Sequence, residues 1–206
     1  AVNFNKMVYD IQNLLNKVKD DQEKLRKYQF KSLQSQINPH FLYNTLDSIY
    51  WKTKTKEVDD ISKITIALSS FFRLSLNNGQ DITSIKNEIK HIESYLSIQK
   101  LNYPDKFNYT IDIDKNLYNY KCINLLLQPL VENSFKHGFK ELDEDGLIRI
   151  VGKTKNNKIY LEVWDNGKGF NVEELEKLLK KENTDSYGLK NVDNRISLYY
   201  GQDYGL

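Results

Sequence analysis

The chain has 206 residues, with 30 basic against 28 acidic side chains and a formal net charge of +2. This balance gives no indication of nucleic acid or of a charged membrane surface as a partner. The single cysteine, Cys122, excludes a disulfide framework. No apolar run approaches the roughly 20 residues that a membrane-spanning helix needs, and no signal peptide is recognisable. From these features we expect a soluble, intracellular protein. The low counts of 3 prolines and 9 glycines favour long helices over a loop-rich fold.

The first third of the chain has the pattern of a coiled coil. Apolar residues alternate at spacings of four and three from residue 4 to 25, with Gln22 in one core position. The alternative is one amphipathic helix that packs on its own domain. However, the pattern continues nearly unbroken to residue 50, which corresponds to roughly 70 Å of helix, too long for this chain to bury alone. We therefore expect a dimeric coiled coil.

Two further helices should follow. After a polar turn at residues 53–57, an apolar stripe runs from residue 61 to 76, and Asp59 or Asp60 is the expected N-cap. With the first helix it would form a four-helix bundle in a dimer. The breaker Asn77–Gly79 then precedes a connecting helix over residues 84–101, which should end at residues 103–105.

The second half mixes strands and helices. Strands are expected at residues 107–113, 147–154 and 158–165, and helices at residues 123–137, 173–181 and 189–200. Residues 155–157 should join the last two strands as a hairpin. The fold class is therefore α+β, with a helical bundle followed by an α/β sandwich that contains a mixed sheet. We expect two domains, a helical one over residues 1–101 and the α/β sandwich over residues 102–206.

Two glycine-containing segments could contact a nucleotide. The sequence Asp-Asn-Gly-Lys-Gly-Phe at residues 165–170 directly follows an apolar strand. Asp165 could accept a hydrogen bond from an exocyclic amine, and Gly167 and Gly169 would let the backbone approach a flat ring or a phosphate. An ordinary turn is the alternative interpretation. Residues 186–189 form a second glycine hinge before a helix, whose N-terminus would suit phosphate.

The predicted helix at residues 123–137 carries the third set of polar residues. Glu132, Asn133, Lys136 and His137 fall on one face at three- and four-residue spacing. A solvated face of an amphipathic helix would show the same pattern. An amide beside a lysine nevertheless supplies the oxygen and the cation that magnesium and nucleotide phosphates require.

Together these motifs resemble the GHKL (Bergerat-fold) ATP-binding domain of histidine kinases. Residues 125–139 look like its N box, residues 165–170 like its first glycine box and residues 187–201 like its second. Residues 33–49 resemble the phosphoacceptor segment of LytS/YesM-type sensor kinases, usually receptors with an extracellular sensor and a HAMP linker. The resemblance covers nearly the whole chain from about residue 25.

The resemblance implies a role for single residues. His40 would be the phosphorylated histidine, Asn133 the magnesium-binding amide and Asp165 the carboxylate that reads adenine. The remaining residues expected around the nucleotide are Glu132, Lys136, His137, Gly167, Gly169, Gly188 and Leu189. His91, in the connecting helix, has no chemical neighbours in the sequence and is interpreted as structural.

The phosphoacceptor segment also contains a helix interruption. Pro39 has no N–H to donate, and its ring crowds the preceding turn, so we expect a kink that exposes His40. The residues expected to face inward are Phe41, Leu42 and Leu46. About half or more of a histidine population is neutral at pH 7, which leaves a nucleophilic ring nitrogen.

Neighbouring polar residues could orient that ring. Many histidine kinases place a carboxylate directly after the histidine, where this chain has Phe41. Asn44, one turn later, is the main candidate for orienting His40, and Asp47, two turns later, is the weaker one.

The resemblance implies an activity and its partners. The chain would use ATP and Mg²⁺ to phosphorylate His40 and would pass the phosphoryl group to a response-regulator aspartate. It would act as a homodimer, in the cytoplasmic portion of a bacterial membrane receptor anchored through a HAMP-type linker. The alternatives are a nucleotide-binding dimerisation module without catalysis and a GHKL ATPase.

Two features depart from the family pattern. Ser186 stands where the second glycine box often has its first glycine. The family's sheet normally continues past the last residues of this sequence by one or two strands. We therefore expect a sheet truncated at its C-terminal strand, or an ordered region that ends early.

Overall fold

The computed structural model describes residues 39–139, 145–169 and 187–206. The chain divides into two units between Tyr43 and Asn44, and residues 39–43 of the first unit are helical. The helices are α1 (Pro39–Thr55), α2 (Val58–Leu76), α3 (Ile85–Asn102), α4 (Gln128–Asn133) and α5 (Tyr187–Tyr200). The strands are β1 (Ile82–Ser84), β2 (Phe107–Ile113), β3 (Lys121–Ile123), β4 (Gly146–Lys155) and β5 (Lys158–Asp165). These elements confirm the predicted α+β class.

Some sequence predictions concern residues outside these ranges. The coiled coil over residues 4–25, the kink before His40 and the helix at residues 173–181 lie outside the described residues. None of the helices in the described ranges has the length and apolar character needed to cross a membrane.

The connection between α1 and α2 is fixed by charged side chains. Lys52, near the end of α1, donates to Glu57 at 2.6 Å and to Asp60 at 2.9 Å. The hydrogen bond to Glu57 is the largest of the effects that raise the pKa of Lys52. The prediction that Asp59 or Asp60 caps α2 is wrong, because the N-cap is Glu57 and its side chain makes no capping bond. Both aspartates instead lie in the first turn, where negative charge stabilises a helix N-terminus.

Helix α1 buries part of the face that was predicted to lie inward. Phe41 and Thr45, four residues apart, are both buried. Leu46 is 47% exposed in the single chain. That it faces the inside of a dimeric bundle stays a prediction, because it concerns burial against a second copy. Successive helical residues are rotated by about 100°, so burial of Thr45 turns the next residue away from the same face. In α2, Ile64 and Phe71 are buried, as their helical spacing predicts.

The turn after α2 and the helix α3 agree with the sequence. Asn77, Asn78 and Gly79 all have positive φ angles, which ends α2 as predicted. Ser84 caps α3, since its hydroxyl accepts a hydrogen bond from the backbone N–H of Asn87 at 3.2 Å. Much of α3 is buried, and it contributes Ile85, Ile89, Ile92, Leu96 and Ile98 to the core.

His91 is one of the buried residues of α3. Its Nε2 atom lies 2.7 Å from the Ser75 hydroxyl, and its ring stacks on Phe71 with 4.6 Å between centroids. Burial lowers the pKa of His91 to about 4, so the ring is neutral near pH 7. These contacts agree with a structural role.

The main sheet is mixed and has the order β2-β4-β5 among the described strands. β2 and β4 are parallel, whereas β4 and β5 form the predicted antiparallel hairpin. Its two turn residues, Asn156 and Asn157, have φ angles of 50° and 61°, as a tight hairpin turn requires. Strands β1 and β3 form a separate antiparallel pair.

The predicted helix at residues 123–137 is wrong over its first five residues. Ile123 ends β3, and its Cα partner in β1 is Ile82. Leu125 has a φ angle of +56°, which no α-helix accommodates. Helix α4 therefore begins only at Gln128, with a proline in its first turn.

An aromatic cluster fixes the segment that follows α4. The ring of Phe135 lies edge-on to Phe107 of β2, with 4.8 Å between centroids, and to Tyr95 of α3, at 5.8 Å. Phe135 also contacts Phe139 at 5.5 Å. These contacts hold the end of the predicted N-box segment against both the sheet and α3.

Candidate nucleotide and phosphoacceptor sites

The segment after Asn133 is a π-helix over Ser134–Gly138. The backbone N–H of Phe139 donates to the carbonyl of Ser134 at 3.0 Å, five residues back. Single π-turns occur frequently at functional sites. The wider turn also alters the regular helical spacing on which a single polar face was predicted.

The four predicted polar residues are therefore not equally exposed. Glu132 and Asn133 are half-buried, whereas Lys136 and His137 are exposed. The ammonium of Lys136 lies 3.6 Å from the carboxylate of Glu132, which also accepts a hydrogen bond from Gln128 at 2.7 Å. The carboxylate of Glu132 is thus held against the surface of α4, its own helix, whereas the side chain of Lys136 extends into solvent.

Asp165 ends β5 beside the π-helix. Its Oδ2 atom accepts a hydrogen bond from the Ser134 hydroxyl at 2.7 Å, and its Oδ1 atom accepts one from the backbone N–H of Gly167 at 2.9 Å. A carboxylate oxygen can accept more than one hydrogen bond. The half-buried Asp165 is therefore held in a fixed orientation and retains capacity to accept a bond from an exocyclic amine.

Two glycines allow this close approach. A Cβ on Gly167 would lie 2.4 Å from the Cα atom of Gly138, and a Cβ on Gly138 would lie 3.0 Å from Oδ1 of Asp165. The two backbones consequently meet beside the carboxylate in a way that side chains would prevent.

The other two glycines have a different environment. Gly169 has a φ of +67°, and a Cβ added to it would meet no atom of the described residues within 4 Å. Among those residues, a Cβ added to Gly188 in α5 would lie nearest to Pro129, at 3.8 Å. Leu189, next in α5, is half-buried.

The residues present fit a nucleotide-bound magnesium ion better than a protein-only metal site. No group of three or more His, Cys, Asp or Glu side chains that could hold a metal occurs in the part of the chain that the structure describes. The Asn133 amide makes no side-chain hydrogen bond within that same part. Magnesium usually keeps several waters and binds through one or two protein oxygens plus substrate phosphates. One available amide oxygen agrees with that type of coordination.

The candidate phosphoacceptor residues lie on α1. Pro39 is exposed and lies directly before His40 in this helix. His40, Asn44 and Asp47 are all exposed. Their four- and three-residue spacing places them one and two turns apart along the same helix.

Comparisons with known proteins assign the chain to a family. Residues 28–107 match the model of the family described as "Histidine kinase". Residues 120–204 match the model for "Histidine kinase-, DNA gyrase B-, and HSP90-like ATPase".

Similar proteins cover most of the chain. The sensor histidine kinase YesM of Bacillus subtilis (strain 168) is 34% identical over 203 residues, which cover 98% of this chain and 34% of that protein. The sensor protein LytS of Enterococcus faecalis (strain ATCC 700802 / V583) is 31% identical over 87% of this chain and 31% of its own length. The protein YwpD of B. subtilis (strain 168) is 32% identical, over 97% of this chain and 72% of its own length.

The chain belongs to the YesM and LytS family of sensor histidine kinases. It spans about a third of the length of YesM and LytS. The second family match implies an ATP-binding domain of the GHKL type, in agreement with the mixed sheet and with the glycine-lined carboxylate described above.

Several residues that hold the candidate site, or the turn before α4, were missed from the sequence. Ser134 was not singled out, although its position within the N-box segment could have suggested it. Glu88, Asn124 and Arg195 gave no local signal, because their partners lie 37 to 71 residues away along the chain.

Glu88 is the most deeply buried of these residues. Its carboxylate accepts hydrogen bonds from the backbone N–H groups of Leu125 at 3.0 Å and Leu127 at 2.8 Å. Burial raises the pKa of Glu88 to about 7, although these hydrogen bonds and the positive charge of Arg195 act in the opposite direction.

Proposed function

We propose that this chain is the catalytic core of a sensor histidine kinase in a two-component system. It phosphorylates His40 with ATP and then passes the phosphoryl group to an aspartate of a response regulator. One observation carries this proposal: an exposed histidine on α1 and a carboxylate held between two glycine backbones occur in one chain, within the two family matches.

The nucleotide would bind around Asp165, and the carboxylate would accept a hydrogen bond from the adenine amine. The fixed orientation of Asp165 between Ser134 and Gly167 supports this role. Asn133 would supply the amide oxygen to magnesium. The other proposed nucleotide contacts are Glu132, Lys136, His137, Gly169, Gly188 and Leu189.

The reaction at His40 is a phosphoryl transfer. A neutral ring nitrogen of His40 donates its lone pair to the γ-phosphorus, and a nitrogen–phosphorus bond forms. The bond from that phosphorus to the bridging oxygen breaks, ADP leaves and the ring releases a proton to solvent. Asn44, one turn away on α1, would orient the ring. Bound magnesium would neutralise phosphate charge as it develops.

The domain organisation and the partners are also proposals. Residues 1–101 would form the signalling and dimerisation helices, and residues 102–206 the ATP-binding domain. The names of YesM and LytS describe sensor proteins, which supports a membrane receptor with this chain in its cytoplasmic portion, attached through a HAMP-type linker. The heptad pattern over residues 4–25 supports a homodimer.

Incubation with γ-labelled ATP and magnesium tests the activity. We expect the parent protein to take up label that is lost in acid and survives alkali, because a phosphohistidine is a phosphoramidate. His40→Gln retains a polar side chain but has no nucleophilic ring nitrogen. It should therefore take up no label while it still binds ATP and sediments as a dimer.

Three results would contradict this proposal in different ways. A parent that binds ATP without label or phosphate release would be a non-catalytic module. Release of free phosphate with no labelled protein would indicate an ATPase. Label on His40→Gln equal to that on the parent would show that another residue is the acceptor.

A further inference from the structure

The turn over residues 124–127, here called the Asn124 turn, connects three distant parts of the unit that begins at Asn44. The side-chain amide of Asn124 donates to the carbonyl of Ser75 in the last turn of α2, at 2.8 Å. Its backbone N–H donates to the carbonyl of Asp81 at 2.8 Å. Its own carbonyl accepts a bond from the Arg195 guanidinium of α5 at 2.5 Å. Asn124 and Ser75 are both buried, so water does not compete for these bonds.

The rest of the turn is held from α3. Glu88 accepts the backbone N–H groups of Leu125 and Leu127, and both bonds are buried. Leu125 has a φ of +56°, a conformation that costs a non-glycine residue energy and persists only where the surroundings enforce it. The bonds from α2, α3 and α5 supply that enforcement.

The Asn124 turn lies between the end of α2 and the start of α4. It directly precedes α4, which carries Glu132 and Asn133. Ser75 lies near the end of α2, and α2 is joined to α1 through the bonds of Lys52 to Glu57 and Asp60. The amide of Asn124 thus connects the helical hairpin to the start of the nucleotide-site helix.

We propose that Asn124 is a positioning residue for phosphoryl transfer, because its amide ties the end of α2 to the turn that begins α4. This inference rests on the proposed autokinase function. Asn124→Ala would remove the bond to Ser75. The backbone bonds of residue 124 to Asp81 and Arg195 would remain, and so would the bonds from the next residues of the turn to Glu88. The nucleotide site should therefore keep its shape, while α2 loses one connection to it.

The test separates the rate of transfer from nucleotide affinity. For Asn124→Ala we expect labelling of His40 at saturating ATP to slow by about 10-fold or more, since small misplacements of reacting groups have large effects on rate. The Kd for ATP with magnesium, measured by calorimetry on the same protein, should stay within about 2-fold of the parent value, because the direct nucleotide contacts are unchanged.

Asn77→Gly is the matched control, because glycine removes the amide and adopts the positive φ of Asn77 (41°) without the strain that alanine would add. The Asn77 amide also donates to backbone carbonyls, those of Gln80 and Ile82, but these lie within five residues and connect no distant segments. This variant loses comparable local bonding, so its labelling rate should remain close to that of the parent. An equal loss of rate in both variants would show a general loss of stability and would overturn the inference.

Two other outcomes would also overturn it. Labelling of Asn124→Ala at the parent rate would show that the tie to Ser75 has no part in transfer. A fall in ATP affinity with an unchanged rate at saturation would place Asn124 in nucleotide binding instead. If Asn124→Ala does not fold by circular dichroism, Asn124→Leu keeps the branched side-chain shape, has no hydrogen-bond donor and is scored by the same criteria. An unlabelled parent would refute the autokinase proposal itself, which is a distinguishable result.

Discussion

The candidate phosphoacceptor residues and the candidate nucleotide site are built differently. His40, Asn44 and Asp47 are exposed on the surface of α1. Asp165, by contrast, is half-buried and is hydrogen-bonded to Ser134, which is itself buried. A helix surface can change its side chains without affecting packing, whereas a buried polar network fixes chemistry and stability together. We therefore expect variants of these three exposed residues to affect transfer alone, and variants around Asp165 to affect folding as well.

Asn133→Ala should give the largest effect and would break this comparison. Asn133 is half-buried in the candidate nucleotide site, yet its amide makes no side-chain hydrogen bond in the described parts of the chain. We expect labelling to fall by about 100-fold or more, because magnesium supplies several kcal/mol of charge stabilisation. The free energy of unfolding, measured with urea, should change by less than about 0.5 kcal/mol, as for a residue without specific bonds.

Asn116→Ala is the control for this prediction. Asn116 is an exposed amide in the turn after β2, so its removal should leave both labelling and stability at the parent values. Retention of magnesium-dependent labelling in Asn133→Ala would show that another group binds the metal.

Gly167→Ala should give the next largest effect, on stability. Its Cβ would lie 2.4 Å from the backbone of Gly138, so the two segments beside Asp165 must separate. We expect the free energy of unfolding to fall by about 1–3 kcal/mol, as for other overpacked positions. Gly188→Ala is the matched comparison, because within the described ranges its Cβ would make an ordinary contact with Pro129 at 3.8 Å. Its stability should stay equal or rise, since alanine favours a helix. Equal losses in the two variants would argue against the close approach.

Glu88→Gln should give the smallest effect, and it sharpens the comparison through pH. Burial raises the pKa of Glu88 from 4.5 to about 7, so the folded state favours the protonated form. The stability that protonated Glu88 contributes is fully present below pH 4.5 and is lost as the pH rises through about 7. Burial lowers the pKa of His91 from 6.5 to about 4, so this residue has the opposite effect on stability. The free energy of unfolding falls through His91 as the pH drops below about 6.5.

The measurement therefore uses the range from pH 6.5 to 8. The unfolding free energy of the parent should fall across this range by roughly 1 kcal/mol relative to Glu88→Gln, which cannot titrate. Glu93→Gln changes an exposed carboxylate on the same helix and should keep the parent's slope. A parent and a Glu88→Gln variant with parallel pH profiles would show that Glu88 does not titrate in this window.

Local rules in the sequence determined much of the fold. Helical spacing predicted α2 and α3, alternation predicted β2, and the asparagine pair at residues 156–157 predicted the hairpin. These features depend on sterics and patterning among near neighbours, so a short window contains the information. The motifs around Asp165 and His40 were also visible as short strings of residues, and they led to the family that the comparisons show.

Tertiary structure decided the features that depend on distant partners. Strand β3 replaced the start of a predicted helix because Ile123 pairs with Ile82, across 41 positions of the chain. The bond from Ser134 to Asp165 spans 31 positions, and the bond from Arg195 to Asn124 spans 71. Spacing along a chain specifies which face a residue shares, but only packing specifies which face is covered and which buried polar groups meet.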